Sequence, residues 1–428
     1  MKKILEKIIN WVDKLGRKTT RLDLKYLIKS GGWLITTNFG TVLIGFLISV
    51  AFANLLSNKD FGTYTYLISI TKTLSFLTIS GIAIATAQAV ARGYNTALIT
   101  SKRIQQKWNA IYTIGLLIIA GYYLFNNNYL FAGSLAIIAF TTPFINAYQS
   151  YGSFLLGKKV FKKIAIYSIT KNLFRLILIV GVLIITKSIL AVIIAHALSL
   201  LLPNIYFYQK TKKDFSVEDK RDIDEDKSLF KFGLNMSFVN ILSSIAKNID
   251  SILLFQIIGP AQLATYVFAK KAAETGRGFA KSSLIIYFPK LVNKKLVDIK
   301  SIFSLRILQT IVIGILLAIS LILIIPFVFQ YFFPKYPDSV FYAQLLSLSL
   351  IFTFPNYYMG YIFNAHKMMR PIYITNIVPN IVRIIGFTTL GLLFGIIGIV
   401  AAKLIGDLTL FIISILVFRN LKPYTNTN

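Results

Sequence analysis

The stretch LATYVFAKKAAETGRGFAKSSLIIYF, Leu263 to Phe288, is long and apolar enough to cross a bilayer, yet it holds five charges. Lys270, Glu274, Arg277 and Lys281 recur at i, i+4, i+7 and i+11, so a helix puts all four on one narrow stripe, with Lys271 beside it. Charged groups facing hydrocarbon are expensive, so this stripe is expected to face protein or water. The fold that satisfies it is a bundle of membrane helices around a wet interior.

Working outward, similar apolar runs fill the chain: 30–55, 63–88, 108–125, 129–152, 164–186, 189–209, 232–256, 263–288, 306–329, 340–365, 372–394 and 396–417. A span needs roughly 20 mainly apolar residues, and these twelve runs meet that length. With 56% hydrophobic residues and a mean hydropathy of +0.68, the 428-residue chain fits no water-soluble class. The expected fold is an all-α polytopic membrane protein.

Lys and Arg outside the spans fall almost entirely on alternate connections, with only Lys59, Lys187 and Lys335 on the opposite side. Cations are retained on the cytoplasmic side, so both termini are expected there. The net charge of +30 is thus mainly a topology signal dispersed over short loops, which argues against nucleic acid as a partner. Residues 1–29 show no cleavable apolar signal. Ile4, Leu5, Ile8, Ile9, Val12 and Leu15 instead recur between lysines, as in a helix lying on an anionic membrane surface.

The chain has no cysteine, so disulfides, thiolate metal sites and a cysteine nucleophile are excluded. No metal-ligand cluster, phosphate-cradling glycine loop or nucleophile elbow is visible, and a non-enzyme without cofactors is expected. His196, within an apolar run, reads as a packing residue; His366 sits in a basic loop.

Internal echoes suggest two related halves. Asn54–Tyr64 (NLLSNKDFGTY) aligns with Gln256–Tyr266 (QIIGPAQLATY), Phe140–Pro143 with Phe352–Pro355, and NLFR ending at Arg175 with NIVR ending at Arg383. Arg175 and Arg383 become repeat mates near mid-membrane, expected to face each other across a central cavity. The domain reading is a basic N-terminal segment (1–29), a first lobe (30–209), a charged linker (210–231) acting as a solvated tether, a second lobe (232–418) and a tail (419–428).

Ten cations lie inside the apolar runs against three acidic residues. Spacing pairs Lys247 with Asp250, Lys270 with Glu274 and Lys403 with Asp407. Lys72, Lys171, Arg175, Lys271, Arg277, Lys281 and Arg383 remain, so the interior is expected to handle an anion. Helix pinning and snorkelling account for several of these lysines, but not for Arg175, Arg277 and Arg383 together. Those three are the leading substrate contacts, followed by Lys72, Lys247, Lys270 and Lys281.

The segments LLSNKDFGTYTYL (55–67) and NIDSILLFQIIGPAQLATYVFAKK (248–271) resemble the Wzx-type polysaccharide repeat-unit flippases of the multidrug/oligosaccharidyl-lipid/polysaccharide (MOP) superfamily. In those proteins a leaflet-edge turn precedes Gly-x-Tyr, and an acidic residue, here Asp250, precedes an apolar run, a Gly-Pro turn and Tyr-x-x-Ala. Leu263-Ala264 departs from a commoner Leu-Gly. The resemblance covers nearly the whole chain.

It implies two six-helix lobes in a bacterial inner membrane. These would move undecaprenyl-diphosphate-linked oligosaccharides outward by alternating access, in company with polymerase and chain-length machinery. It also implies H⁺ or Na⁺ coupling, for which Asp250, Glu274 and Asp407 are candidates. Three alternatives stand beside it. A MATE-like drug exporter would find its cationic cargo repelled by the interior charge. A lipid II flippase generally has spans beyond the twelfth. A membrane polymerase or ligase generally has a large outer loop.

Overall fold

The computed structural model describes residues 24–219, 222–239, 241–284, 291, 296–366 and 368–421. The surface helix expected within residues 1–29 falls mostly outside them, as does the tail beyond Leu421.

In the first half the helices are α1 (Leu24–Leu55), α2 (Asn58–Thr73), α3 (Ile82–Ala91), α4 (Ala97–Phe125), α5 (Tyr129–Tyr148), α6 (Ser150–Gly157), α7 (Phe161–Ile185) and α8 (Ile189–Asp214). In the second half they are α9 (Ile223–Val239), α10 (Ile241–Ala246), α11 (Ile249–Ile258), α12 (Pro260–Leu284), α13 (Leu296–Ser301), α14 (Phe303–Phe332), α15 (Ser339–Ser347), α16 (Leu350–Ala365) and α17 (Met369–Arg419). No strand occurs among the described residues.

Each of the twelve predicted segments is carried mainly by helix, and several are broken. Eight described helical stretches are long and apolar enough to cross a membrane alone. They become nine when 58–77 and 82–91, bent by 56°, count as one span. The stretch of α1 long and apolar enough to span runs Thr36–Leu55, later than the expected start at residue 30.

Local chemistry sets the boundaries. Ser57 caps α2, its hydroxyl accepting from the Asp60 amide at 3.0 Å and donating to the Asp60 carboxylate at 2.6 Å. Asn128 caps α5 through the Phe131 amide. The turn foreseen between residues 394 and 396 falls at Gly395, φ 57°, where α17 doubles back. A Cβ on Gly398 would lie 1.8 Å from the Leu390 carbonyl oxygen, so the hairpin closes only over glycine.

Helices of the first half pack mainly on one another, α1 on α7, α4 on α5, and α8 on both α5 and α7; in the second half α14 packs on α16 and α12 on α15. Outward-facing apolar side chains such as Ile114, Ile118, Leu316 and Leu323 are exposed, the pattern of lipid-facing helices.

Two seams join the halves. At one end α2 meets α11 and α12: Phe61 stacks on Phe268 at 4.4 Å, Tyr66 on Phe255 at 3.8 Å, and a Cβ on Gly62 would lie 1.8 Å from the Pro260 carbonyl oxygen. Lys335 closes the same end through the Asn54 carbonyl at 2.7 Å. At the other end α3 meets α9, where the Gly81 amide donates to the Ser237 hydroxyl at 2.9 Å.

The linker corrects one expectation. It is not a solvated tether, because its acids dock on cations of the neighbouring connections. Asp214 accepts from Lys163 at 2.8 Å, Asp219 takes both arms of Arg103, Glu225 lies 3.6 Å from Arg92, and Asp226 accepts from Tyr94 and Thr100 at 2.7 Å each. Burial and Asp226 together push the Tyr94 phenol upward, which keeps it a donor at neutral pH. Val217 is buried between them. All these groups belong to connections assigned to one face by the cation count.

Candidate functional site

The interior charges form two clusters. In the second half, the break at Lys247 and Asn248 between α10 and α11 exposes the Lys247 carbonyl and begins α11 with Asp250 in its first turn. An anion is favoured at such a helix start. Asp250 is 1% exposed. It accepts from Lys270 at 2.5 Å, the Tyr266 hydroxyl at 2.6 Å and the Ser251 amide at 2.7 Å. Lys270 also donates to the Lys247 carbonyl at 3.1 Å.

Two turns further along α12, Arg277 bonds Asp407 on α17. Asp407 also holds Arg383 at 2.6 Å, and Arg383 donates to the Asn380 side chain at 3.1 Å. Arg383 lies so tightly over α17 that a Cβ on Gly406 would sit 2.2 Å from its Cγ. Buried pairs of this kind hold geometry, since removing either partner strands a charge away from water.

These contacts redraw the pairing expected from spacing. Lys247 does not pair with Asp250; its ammonium is exposed and only its carbonyl takes part. Lys270 leaves Glu274 for Asp250, and Asp407 leaves Lys403 for two arginines. Glu274 is exposed with no ion pair or hydrogen bond among the described residues, and Lys403, though buried, has none either. Intrahelical i, i+4 geometry lost to longer side chains on facing helices. The side chain of Lys281 lies outside the described residues.

In the first half, Arg175 on α7 donates to the His196 Nδ1 on α8 at 3.2 Å, and the Tyr64 hydroxyl on α2 lies 2.9 Å from the same nitrogen. His196 is therefore not a mere packing residue. Lys72 on α2 is exposed, Lys171 lies one turn before Arg175, and Lys271 reaches from α12 to the Ser49 hydroxyl on α1 at 3.0 Å. Among the described residues, no carboxylate is paired with any of these four cations. Lys72 feels the charges of Arg175, Lys270 and Glu274, and Lys271 those of Lys72, Arg175 and Glu274, which joins the clusters electrostatically.

Arg175 and Arg383 have different partners. Each is held within its own half, one by a base and the other by an acid. The reading from sequence discounted Lys171 and Lys271 as snorkelling residues and left Tyr64 and His196 without a role. The available signal was Lys171 and Arg175 at i, i+4 with no acid in reach. An open cleft of about 440 Å³ beside Gln262, Asp338, Tyr342 and Gly395 shares no residue with either cluster.

No significant match occurs among curated proteins. The chain resembles an inward-facing multidrug-resistance MATE family transporter of the MOP superfamily, with a TM-score of 0.68 at 16% identity, covering 90% of this chain and 96% of that one. It also resembles the lipid II flippase MurJ in its inward closed conformation, with a TM-score of 0.66 at 14% identity, covering 91% and 88%. An outward-facing MATE transporter gives a TM-score of 0.63 at 15% identity, covering 92% and 94%. At such identities these likenesses show the fold. The family described as "Polysaccharide biosynthesis protein" matches residues 27–293, well over half the chain. The chain thus belongs to the polysaccharide biosynthesis protein family, and its long apolar helices make it a multi-pass membrane protein.

Proposed function

We propose that the chain is a flippase for undecaprenyl-diphosphate-linked oligosaccharide repeat units, carrying them from the inner to the outer leaflet of the bacterial cytoplasmic membrane by alternating access. The observation that carries this reading is the uncompensated positive charge of Lys72, Lys171, Arg175 and Lys271. A diphosphate is compact and anionic, and Arg donors bind phosphate oxygens at fixed geometry. The head group sits against the first-half cations, sugars occupy the wet interior, and the prenyl tail stays in lipid. Arg277 and Arg383, committed to Asp407, shape the opposite wall. Glu274, unpaired, is the carboxylate left free to exchange H⁺ or Na⁺, while Asp250 and Asp407 are engaged. Polymerase and chain-length proteins are the expected partners downstream.

The test is export of a lipid-linked repeat unit in cells carrying Arg175→Gln, Lys72→Gln or Lys271→Gln, with membrane insertion measured in parallel. Normal insertion with the repeat unit retained on the inner face supports the reading. Wild-type export by all three variants would sink it. A cationic-drug exporter is disfavoured by the same charge excess, which repels such cargo.

A further inference from the structure

We infer that His196 is a positioning residue for Arg175 and that it takes up a proton when a diphosphate head group binds. The inference rests on the proposed function and adds to it a named proton acceptor and a direction of linkage.

A guanidinium can only donate. The contact from Arg175 Nη2 to His196 Nδ1 at 3.2 Å therefore makes Nδ1 an acceptor, so the imidazole is neutral and carries its proton on Nε2. Tyr64, 2.9 Å from the same nitrogen with its ring edge-on to the imidazole, is the third member. Three helices, α2, α7 and α8, thus meet at one nitrogen.

The surroundings explain why that nitrogen stays unprotonated while the site is empty. His196 is faced by Tyr64 and Lys72 from α2 and by Arg175 from α7, with Lys171 one turn away. Helices α5 and α6, which also pack on α8, contain no charged residue. A proton on His196 would add a fifth positive charge to Lys72, Lys171, Arg175 and Lys271. It would also abolish the acceptor that Arg175 uses.

An arriving diphosphate reverses both conditions. Its oxygens accept from Arg175, whose Nε is buried and without a partner, and its negative charge favours a cation beside it. His196 then takes up a proton at Nδ1 from the buffered solvent and keeps it, the new N–H donating a hydrogen bond to the Tyr64 oxygen, while Arg175 turns its donors to phosphate. By linkage, head-group binding raises proton occupancy at His196, and acidification strengthens head-group binding by the same factor. No carboxylate is needed for this step, which separates it from any exchange at Glu274.

The experiment is titration calorimetry of the full-length protein in lipid nanodiscs with citronellyl-diphosphate-N-acetylglucosamine. This probe's phosphates carry no titratable proton near neutrality. Running the titration at one neutral pH in buffers of different ionisation enthalpy gives the protons taken up per ligand bound. The wild type is expected to take up about one proton. His196→Gln keeps a side-chain acceptor for Arg175 and is expected to bind with that uptake lost, while Glu274→Gln retains it. Binding without proton uptake by the wild type overturns the inference and leaves the flippase reading standing, and this outcome needs no variant to fold. Uptake that persists in His196→Gln or vanishes in Glu274→Gln also overturns it. Failure of the wild type to bind the probe removes the head-group reading and this inference with it.

Discussion

The two charged clusters use the same residue types to opposite ends. In the second half, Asp250 and Asp407 absorb Lys270, Arg277 and Arg383; Arg277 ties α12 to α17, and Arg383 ties the two arms of α17 to each other. In the first half, Arg175 is aimed by a neutral imidazole and a phenol, which fix its direction and leave its charge unspent. A cation that must recognise an anion has to be oriented without being neutralised, and a base achieves this where an acid cannot.

The largest effect that would break this contrast is structural. Asp407→Ala leaves Arg277 and Arg383 buried without a counter-charge, a change that costs about 3–5 kcal/mol in comparable buried pairs. Heating the detergent-solubilised protein and following the surviving monodisperse fraction should show a large fall in midpoint. Arg175→Gln should shift that midpoint little. If the two variants lose equal stability, the division into struts and binders fails.

Next in size is the effect on binding. Replacing Arg175 by Gln removes charge-assisted bonds to phosphate worth about 1.5–3 kcal/mol, so probe affinity should fall about 10- to 100-fold. Arg383→Gln is expected to lower affinity less than it lowers stability. A double-mutant cycle between Arg175 and His196 sharpens the point, since the two should couple strongly while Arg175 and Asp407 should act additively.

What the sequence disclosed follows the same physics. The all-helical membrane fold and the Gly395 turn were legible because bilayer thickness and glycine conformation act on local sequence. The pairing inside the site was not. Lys270 and Glu274 sit at i, i+4, yet Asp250, twenty residues earlier in the chain, wins the ammonium because the break before α11 places its carboxylate at a helix start. The partners of His196 were not legible because Tyr64 and Arg175 lie on other helices, which spacing along α8 cannot reveal. The linker was misread because acids in a mixed charge run look solvated until the cations opposite them are placed.

A third prediction concerns the seam that closes one end over both clusters. Gly62→Ala puts a Cβ where the Pro260 carbonyl stands, so either α2 or α12 must move. The variant should favour arrangements with this seam open, by about ten-fold if the clash costs about 1.4 kcal/mol. The absence of native cysteine gives a clean background for the measurement, in which a single cysteine at Thr63 is labelled by a membrane-impermeant maleimide from the outer side. Faster labelling in Gly62→Ala is expected; an unchanged rate would mean that the seam accommodates the methyl group without opening.

The smallest effect belongs to the linker, where charges are paired as in the second half but exposed. Arg103 with Asp219 and Arg92 with Glu225 lie at the surface, where a pair contributes roughly 0–1 kcal/mol and salt screens it. Asp219→Asn should therefore leave thermal stability almost unchanged. It should increase proteolytic nicking between Ser216 and Asp222, and high salt should bring the wild type to the same rate. Because Asp226 holds Tyr94 and Thr100 under greater burial, Asp226→Asn should exceed Asp219→Asn in this assay. Equal nicking would mean that exposure does not rank these contacts, and that the difference between the two interior clusters needs a cause other than burial.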